Sequence, residues 1–243
     1  MARATPGPVR RESDGVTDIS AAHRDDNPWA KGWSTEGLIS ALEPLVVEQR
    51  RARILEVIEG RTDNVTVAMD APHDPHNGAA VLRTCDAFGI QQVHVVERLE
   101  PFLFVHKVSL GTERWVDVHR HPTQESAIAQ LQSDSYSIVA ACADGELVPS
   151  DLAQFERFAL IMGNERDGVS EAFLRASAHR VKIPMRGFVE SLNMSVSTSI
   201  LLHAAMANRK GDLPESRRRE IYARGLVRSV VRVRDVLSNL NPR

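Results

Sequence analysis

From Asn64 onward the chain alternates short, mostly apolar runs with longer runs whose apolar residues recur at helical spacing. Val65–Met69, Gln92–Val96, Tyr136–Ala141, Phe158–Met162 and Arg180–Ile183 read as buried strands, with a further short one at Trp115–Val118. Between them Asn77–Phe88, Thr123–Leu131 and Ser170–Ala176 read as helices, with Asn77 a candidate N-cap and Gly89 a stop. After Ile183 a turn marked by Pro184 and Gly187 leads into a helix beginning near Ser191. That helix is rich in small residues (Ser195, Ser197, Thr198, Ser199, Ala204, Ala205), which let another backbone come close. Strands alternating with helices predict an α/β fold, a mostly parallel sheet with helices on both faces. Such sheets bind ligands beyond the carboxyl ends of their strands. The loops at 70–77, 141–145, 163–168 and 184–191 all follow strands and are expected to converge there.

The flanks read differently. A helix over Pro44–Glu59 places Leu45, Ile54, Leu55 and Ile58 on one face and Arg50, Arg51 and Arg53 elsewhere, a basic surface. Residues 1–33 lack periodicity and are expected to be poorly ordered, with Trp29 and Trp33 as the exceptions that could dock. Beyond residue 208 Leu226, Val230, Val233 and Leu237 fit a helical stripe. The expected division is a poorly ordered segment at 1–35, a helical extension at 36–61, an α/β domain at 62–208 and a helical extension at 209–243.

Charge adds one feature. The net charge of −2 conceals a segment from Arg209 onward with ten basic and four acidic residues, +6 against −8 for the rest. A basic tail on an acidic body points to an anionic partner, nucleic acid being the usual one, or else to a solvated helix face. Arg217, Arg218, Arg219, Arg224 and Arg228, with Arg50, Arg51 and Arg53, are the candidate contacts. Two cysteines, Cys85 and Cys142, in apolar surroundings argue for a reducing cytoplasm over a disulfide framework. No apolar run is long enough to span a bilayer, and the N-terminus lacks the apolar core of a signal peptide, so no membrane partner is expected.

Several chemistries lack their residues. There is no G-x-G-x-x-G after the first strand, and Gly163–Gly168 has P-loop spacing with Val169 where a lysine is needed. His73-x-x-His76 is at most half a metal site, so no metal is expected. No G-x-S-x-G elbow supports a serine nucleophile.

Polar residues do gather at three strand-to-helix junctions in segments otherwise committed to the core. They lie in Pro75–Gly89 with Asn77 and Arg83, in Leu160–Glu171 with Glu165, and in Ile183–Met206 with Ser191 and Asn193. In this order and at these separations, over roughly residues 47–208, they closely resemble the signature motifs of the SpoU/TrmH family of RNA 2′-O-ribose methyltransferases. The resemblance implies a C-terminal trefoil knot, a rare departure from ordinary chain topology. It further implies S-adenosyl-L-methionine bound in the knot and a homodimer with the knots at its interface. It marks Arg83, Asn77, Glu165, Ser191 and Asn193 as catalytic, and Ala140, Gly163, Ile183 and Leu192 as cofactor-binding, largely through backbone groups.

The family credits the arginine at Arg83 with activating the ribose hydroxyl. A guanidinium stays protonated, so gripping the adjacent phosphate and stabilising the developing alkoxide suits it better than proton removal. The basic tail resembles the C-terminal extension of the members that methylate guanosine 18 in the tRNA D-loop, making tRNA the expected partner. Ribosomal RNA is the alternative target, and an RNA-binding protein of the same fold without catalysis is the alternative class.

Overall fold

The computed structural model describes residues 16–17, 32–97, 104–105 and 111–240. Six strands form one parallel sheet: β2 (Val65–Asp70), β3 (Gln92–Val96), β5 (Asp117–His121), β6 (Ser137–Ala141), β7 (Phe158–Met162) and β8 (His179–Val181), in the order β5-β3-β2-β7-β6-β8. β2 and β7 lie side by side at the centre, with Val65 opposite Phe158 and Met69 opposite Met162. Every residue of both strands is buried, as a parallel sheet covered on both faces requires. Two short strands, β1 (Val16–Thr17) and β4 (Phe104–Val105), pair antiparallel elsewhere.

The two faces of the sheet bury separate cores. On one, Val67, Met69, Val93 and Leu160 pack against α3 (Pro75–Ala87) through Ala79, Leu82 and Cys85, and against α6 (Met194–Met206) through Leu201, Leu202 and Ala205. On the other, Ala68, Val96, Ile138 and Ile161 pack against α4 (Gln124–Ser133) through Ala127 and Leu131, and against α5 (Glu171–Ala176) through Phe173. The period-two alternation of β2 sends Val67 and Met69 one way and Ala68 the other. The chain leaves the sheet at edge strand β8 and then returns over residues 182–193 to set α6 against α3.

A third core lies outside the sheet. The helices α1 (Thr35–Leu42) and α2 (Glu48–Glu59) pack with α7 (Glu215–Ser229) and α8 (Val233–Ser238). Ile39, Leu42, Ile54 and Ile58 meet Ile221, Tyr222, Leu226 and Leu237. Trp33 packs against this cluster, whereas Trp29 lies outside the described residues. The tyrosine hydroxyl of Tyr222 donates to Glu43 at 2.6 Å, and Asp212 accepts from the Asp63 amide at 2.8 Å. The segments before and after the α/β domain thus share one helical unit.

Several element boundaries differ from the sequence reading. The helix expected at Pro44–Glu59 is a 3-10 turn at Glu43–Leu45 followed by α2, and α1 precedes it. Asn77 does not cap α3; Asp74 does, its carboxylate accepting from the His76 amide at 2.8 Å. That places Pro75 in the first turn, where its missing N–H costs nothing, and leaves the Asn77 side chain available for another partner. α6 begins at Met194 rather than near Ser191, because Asn193 is its cap. The strand expected at Trp115 starts at Asp117 after a 3-10 turn. The stripe Leu226, Val230, Val233 and Leu237 does face one core, but over two helices broken at Arg232, which has a positive φ of 52°.

Candidate active site

The loops after β6, β7 and β8 border a cleft of about 670 Å³ with the segment that enters α6. Its walls come from residues 141–144, 162–169, 180–185 and 190–194. This is the carboxyl edge of the sheet, where the alternating pattern places a ligand site.

The loop after β7 is held tightly. Asn164 and Gly168 exchange backbone hydrogen bonds of 3.1 Å each way, and Asn164 Oδ1 accepts from the amides of Arg166 (2.9 Å) and Asp167 (2.8 Å). Gly168 takes a φ of 71°, and a Cβ on Gly163 would lie 2.1 Å from the Gly168 backbone, so both positions need glycine. The turn lifts Glu165 to the exposed tip. Its carboxylate accepts from Asn77 Nδ2 through Oε1 and from the His73 amide through Oε2 at 3.2 Å.

The network continues into the third junction. Asn77 Oδ1 accepts from Asn193 Nδ2 at 2.9 Å. Asn193 Oδ1 in turn accepts from the Ser195 amide at 2.8 Å and the Ser195 hydroxyl at 2.7 Å, capping α6. Glu165, Asn77 and Asn193 thereby tie the loop after β7 to the starts of α3 and α6, far apart in sequence, at one rim of the cleft. Glu165 and Asn193 remain exposed while doing so.

A sequence model of the SpoU rRNA Methylase family matches residues 64–203, which contain this network. The chain belongs to that family. It is 31% identical over 169 residues to the tRNA (guanosine(18)-2′-O)-methyltransferase of Borreliella burgdorferi, covering 69% of this chain and 78% of that one. It is 34% identical over 168 residues to the enzyme of the same name from Thermus thermophilus, covering 67% and 84%. Among solved structures, the A. aeolicus TrmH/SpoU tRNA modifying enzyme superposes with a TM-score of 0.68 at 26% identity, over 76% of this chain and 98% of that one. The AdoMet-bound rRNA methyltransferase of Sinorhizobium meliloti superposes with a TM-score of 0.53 at 26% identity, over 62% and 59%.

The residues expected from the SpoU motifs fall in three groups. Glu165, Ser191 and Asn193 line the cleft with Gly163, Ile183 and Leu192, and Asn77 joins them through its hydrogen bonds. Ala140 is fully buried in β6 on the α4 face, one residue deeper than Ala141, which does line the cleft. Arg83 stands exposed on α3, six residues past Asn77, and among the described residues it makes no hydrogen bond or ion pair. Six residues turn a helix well past one and a half revolutions, so the two side chains leave α3 in different directions. The following residue, Thr84, has its hydroxyl 3.1 Å from that of Ser199 and joins α3 to α6.

Most of the arginines expected to meet RNA have partners within the chain. Arg217 and Arg224 both pair with Asp117, the latter at 2.7 Å, and Arg217 also reaches Glu220 at 2.7 Å. Arg219 pairs with Glu36, and Arg218 donates to the Leu213 carbonyl at 2.8 Å. Arg51 is half-buried; Arg53 pairs with Glu56 at 2.8 Å on the open surface. Arg50 and Arg228 flank Trp115.

The sequence reading did not single out Asp144, and gave Cys142 and His73 no place in this site: the first was noted as a free cysteine, the second as half of a metal pair. Asp144 and Cys142 lie in the loop flagged after β6, so strand-end position was their available signal. Burial, and then the neighbouring Asp144, pushes the Cys142 thiol up to about 11, so the cleft holds a neutral thiol at neutral pH. His73 takes part through its backbone, which no side-chain pattern reveals. Among the described residues no cluster of histidine, cysteine and carboxylate side chains could hold a metal ion, and none of the helices is long and apolar enough to cross a membrane.

Proposed function

We propose that this chain transfers a methyl group from S-adenosyl-L-methionine to the 2′-hydroxyl of a ribose in tRNA, guanosine 18 of the D-loop. The observation that carries the reading is the Glu165–Asn77–Asn193 network at the rim of the cleft. The tRNA target rests on the names of the relatives, which match across most of their own length.

The cleft suits the cofactor. Its volume lies within the usual range for small-molecule sites. Ile183, Leu192 and Leu201 offer an apolar wall for a flat base, and the cramped Gly163 turn brings backbone within reach of a ribose. When bound, S-adenosyl-L-methionine supplies an electrophilic methyl on a positively charged sulfonium. Gly163, Ile183 and Leu192 would hold it, with the Ala140 backbone behind them.

The protein's own contribution is positioning and charge. Glu165 fixes Asn77, and Asn77 fixes Asn193, so two amide side chains stand ready to orient the target ribose. Ser191 sits beside them on the exposed entry to α6. Arg83, without a partner among the described residues, would grip the phosphate next to that ribose and stabilise the oxyanion that forms as its proton leaves to solvent or to a phosphate oxygen.

Three structural readings accompany this. The return of residues 182–193 from edge strand β8 to α6 supports a trefoil knot closed around the cleft. Leu192, Val196 and Ile200 recur every fourth residue with apolar side chains open to solvent, beside a fully exposed Phe188, which supports a homodimer through α6. The two terminal extensions act as one helical unit beside the 62–208 methyltransferase domain, and the enzyme works in the cytoplasm.

The test is tritiated methyl transfer to unmodified tRNA and ribosomal RNA transcripts, with nuclease mapping of the labelled nucleoside. The expected product is 2′-O-methylguanosine in the D-loop. Label confined to ribosomal RNA would move the target. Cofactor binding with no label on any RNA would leave a binding protein of this fold.

A further inference from the structure

Trp115 sits where the sheet meets the helical unit and lines a second, smaller cavity of about 200 Å³. Its half-buried indole forms one wall, and Ile54, Val57, Ile58 and Ile221 complete the apolar part. Arg61 and Asp86 form the floor, the buried Arg61 guanidinium pairing with Asp86 Oδ1 and donating to the Ile90 carbonyl at 3.4 Å. Two further guanidinium groups approach the indole, Arg50 at 5.9 Å and Arg228 at 5.8 Å from the ring centroid, and Arg53 also lines the cavity.

An aromatic face, an apolar slot, a fixed carboxylate and a ring of arginines meet the needs of one nucleotide. Unstacked bases lie on aromatic faces and guanidinium planes, while their phosphates take arginine. The cavity falls below the usual range for whole small-molecule ligands, which suits a single base. Its position ties it to the catalytic rim: Asp86 and Asn77 belong to the same helix, α3, nine residues or about 14 Å apart along the axis, with Arg83 between them.

We propose that the Trp115 cavity receives one unstacked base of the bound RNA, a few nucleotides from the ribose that is methylated, with Arg50, Arg53 and Arg228 on the flanking phosphates. This rests on the reading that RNA is the substrate. The strand then runs along α3, from the Asn77 end over Arg83 to Trp115.

The experiment uses the full chain and an unmodified tRNA transcript. Trp115→Leu should raise the KM for tRNA about tenfold, with little change in kcat, in the KM for S-adenosyl-L-methionine or in melting temperature. Trp115→Phe should restore most of the loss, because a smaller aromatic face still stacks. Separately, transcripts carrying 5-iodouridine near the target should photo-crosslink to the peptide containing Trp115. An unchanged KM in Trp115→Leu, or crosslinks that avoid this peptide while methylation continues, would overturn the proposal. Should leucine loosen the helical unit, the crosslink to the unaltered chain decides. Crosslinking to Trp115 without methylation of any RNA would keep the base site and remove the methyltransferase reading instead.

Discussion

Arginine does opposite work at the two ends of this molecule. On α3, Arg83 stands exposed with no partner among the described residues, six residues along the helix from Asn77, which belongs to a rim whose polar groups hold one another in place. In the helical unit, Arg217 and Arg224 turn inward onto the buried Asp117, and Arg219 closes on Glu36. On the proposed reading the first arginine serves a ligand; Arg217 and Arg224 join the tail to the sheet, and Arg219 joins it to the other terminal extension. An excess of positive charge in a sequence therefore says that anions are wanted, and leaves open whether the protein supplies them itself.

The sharpest way to test the first half of the contrast is to alter Arg83. Arg83→Ala should lower kcat by about 10³, the loss seen when a donor to a developing oxyanion is removed. Arg83→Lys should recover only a small part, since a single ammonium cannot give a fork of parallel hydrogen bonds. Both variants should melt with the unaltered protein, because among the described residues Arg83 has no hydrogen bond or ion pair to lose. Near-full activity in Arg83→Lys, with normal RNA binding, would remove the bidentate role.

The second half predicts a stability effect in place of a catalytic one. Asp117→Asn should cost about 3 kcal/mol in urea unfolding at pH 7, because it leaves Arg217 and Arg224 charged and only partly solvated. Its pH dependence has a definite sign. Burial by itself would raise the Asp117 pKa, but Arg224 and Arg217, with a hydrogen bond from Gln91, outweigh it and the net shift is downward. A carboxylate with a depressed folded pKa contributes fully above its unfolded value of about 4 and loses that contribution as the pH falls through the folded value. The difference between the two proteins should hold from pH 7 down to about pH 4 and shrink below it.

Glu165 tests how far the rim depends on its own network. The carboxylate accepts from two donors at once, Asn77 Nδ2 and the His73 amide. Glu165→Gln keeps one acceptor and turns an NH₂ toward the other donor. The expected loss is about tenfold in kcat, the equivalent of one unmade hydrogen bond, with a smaller change in KM. An equal rise in KM alone would mean that the network binds substrate without orienting it.

How much of this could be read from the sequence follows from the physics of each part. β3 and β7 were legible to the residue: β7 is a continuous apolar run with abrupt ends, as a strand buried on both faces tends to be, and β3 sets its valines around one polar residue, His94. The three polar junctions were legible because polar residues stand out in segments committed to the core. What escaped was pairing over long distance. Asn77 looked like a helix cap; only the fold shows Asp74 capping and Asn77 reaching Glu165, 88 residues away. The break in the tail helix at Arg232 carries no proline or glycine, so the stripe of apolar residues read as one helix. The tail arginines could not be assigned a direction, because Asp117 lies about a hundred residues earlier, on a strand whose start was itself misplaced.

The mildest test compares two arginines of equal charge. Arg53 pairs with Glu56 on the open surface, where both side chains are more than 60% exposed and such a pair contributes little. Arg219 pairs with Glu36 across two helices of the terminal unit. Removing either changes the net charge by one. If Arg53 exchanges Glu56 for a phosphate when RNA binds, Arg53→Ala should reduce the slope of log affinity against log salt by about one, with stability unchanged. Arg219→Ala should leave the slope nearly as it was, because its anion is already supplied by Glu36, and lower the melting temperature only slightly, since this pair too is largely exposed. Equal slopes in the two variants would show that net charge alone governs RNA binding, and the distinction between an arginine paired within one helix and one paired between helices would lose its meaning for affinity.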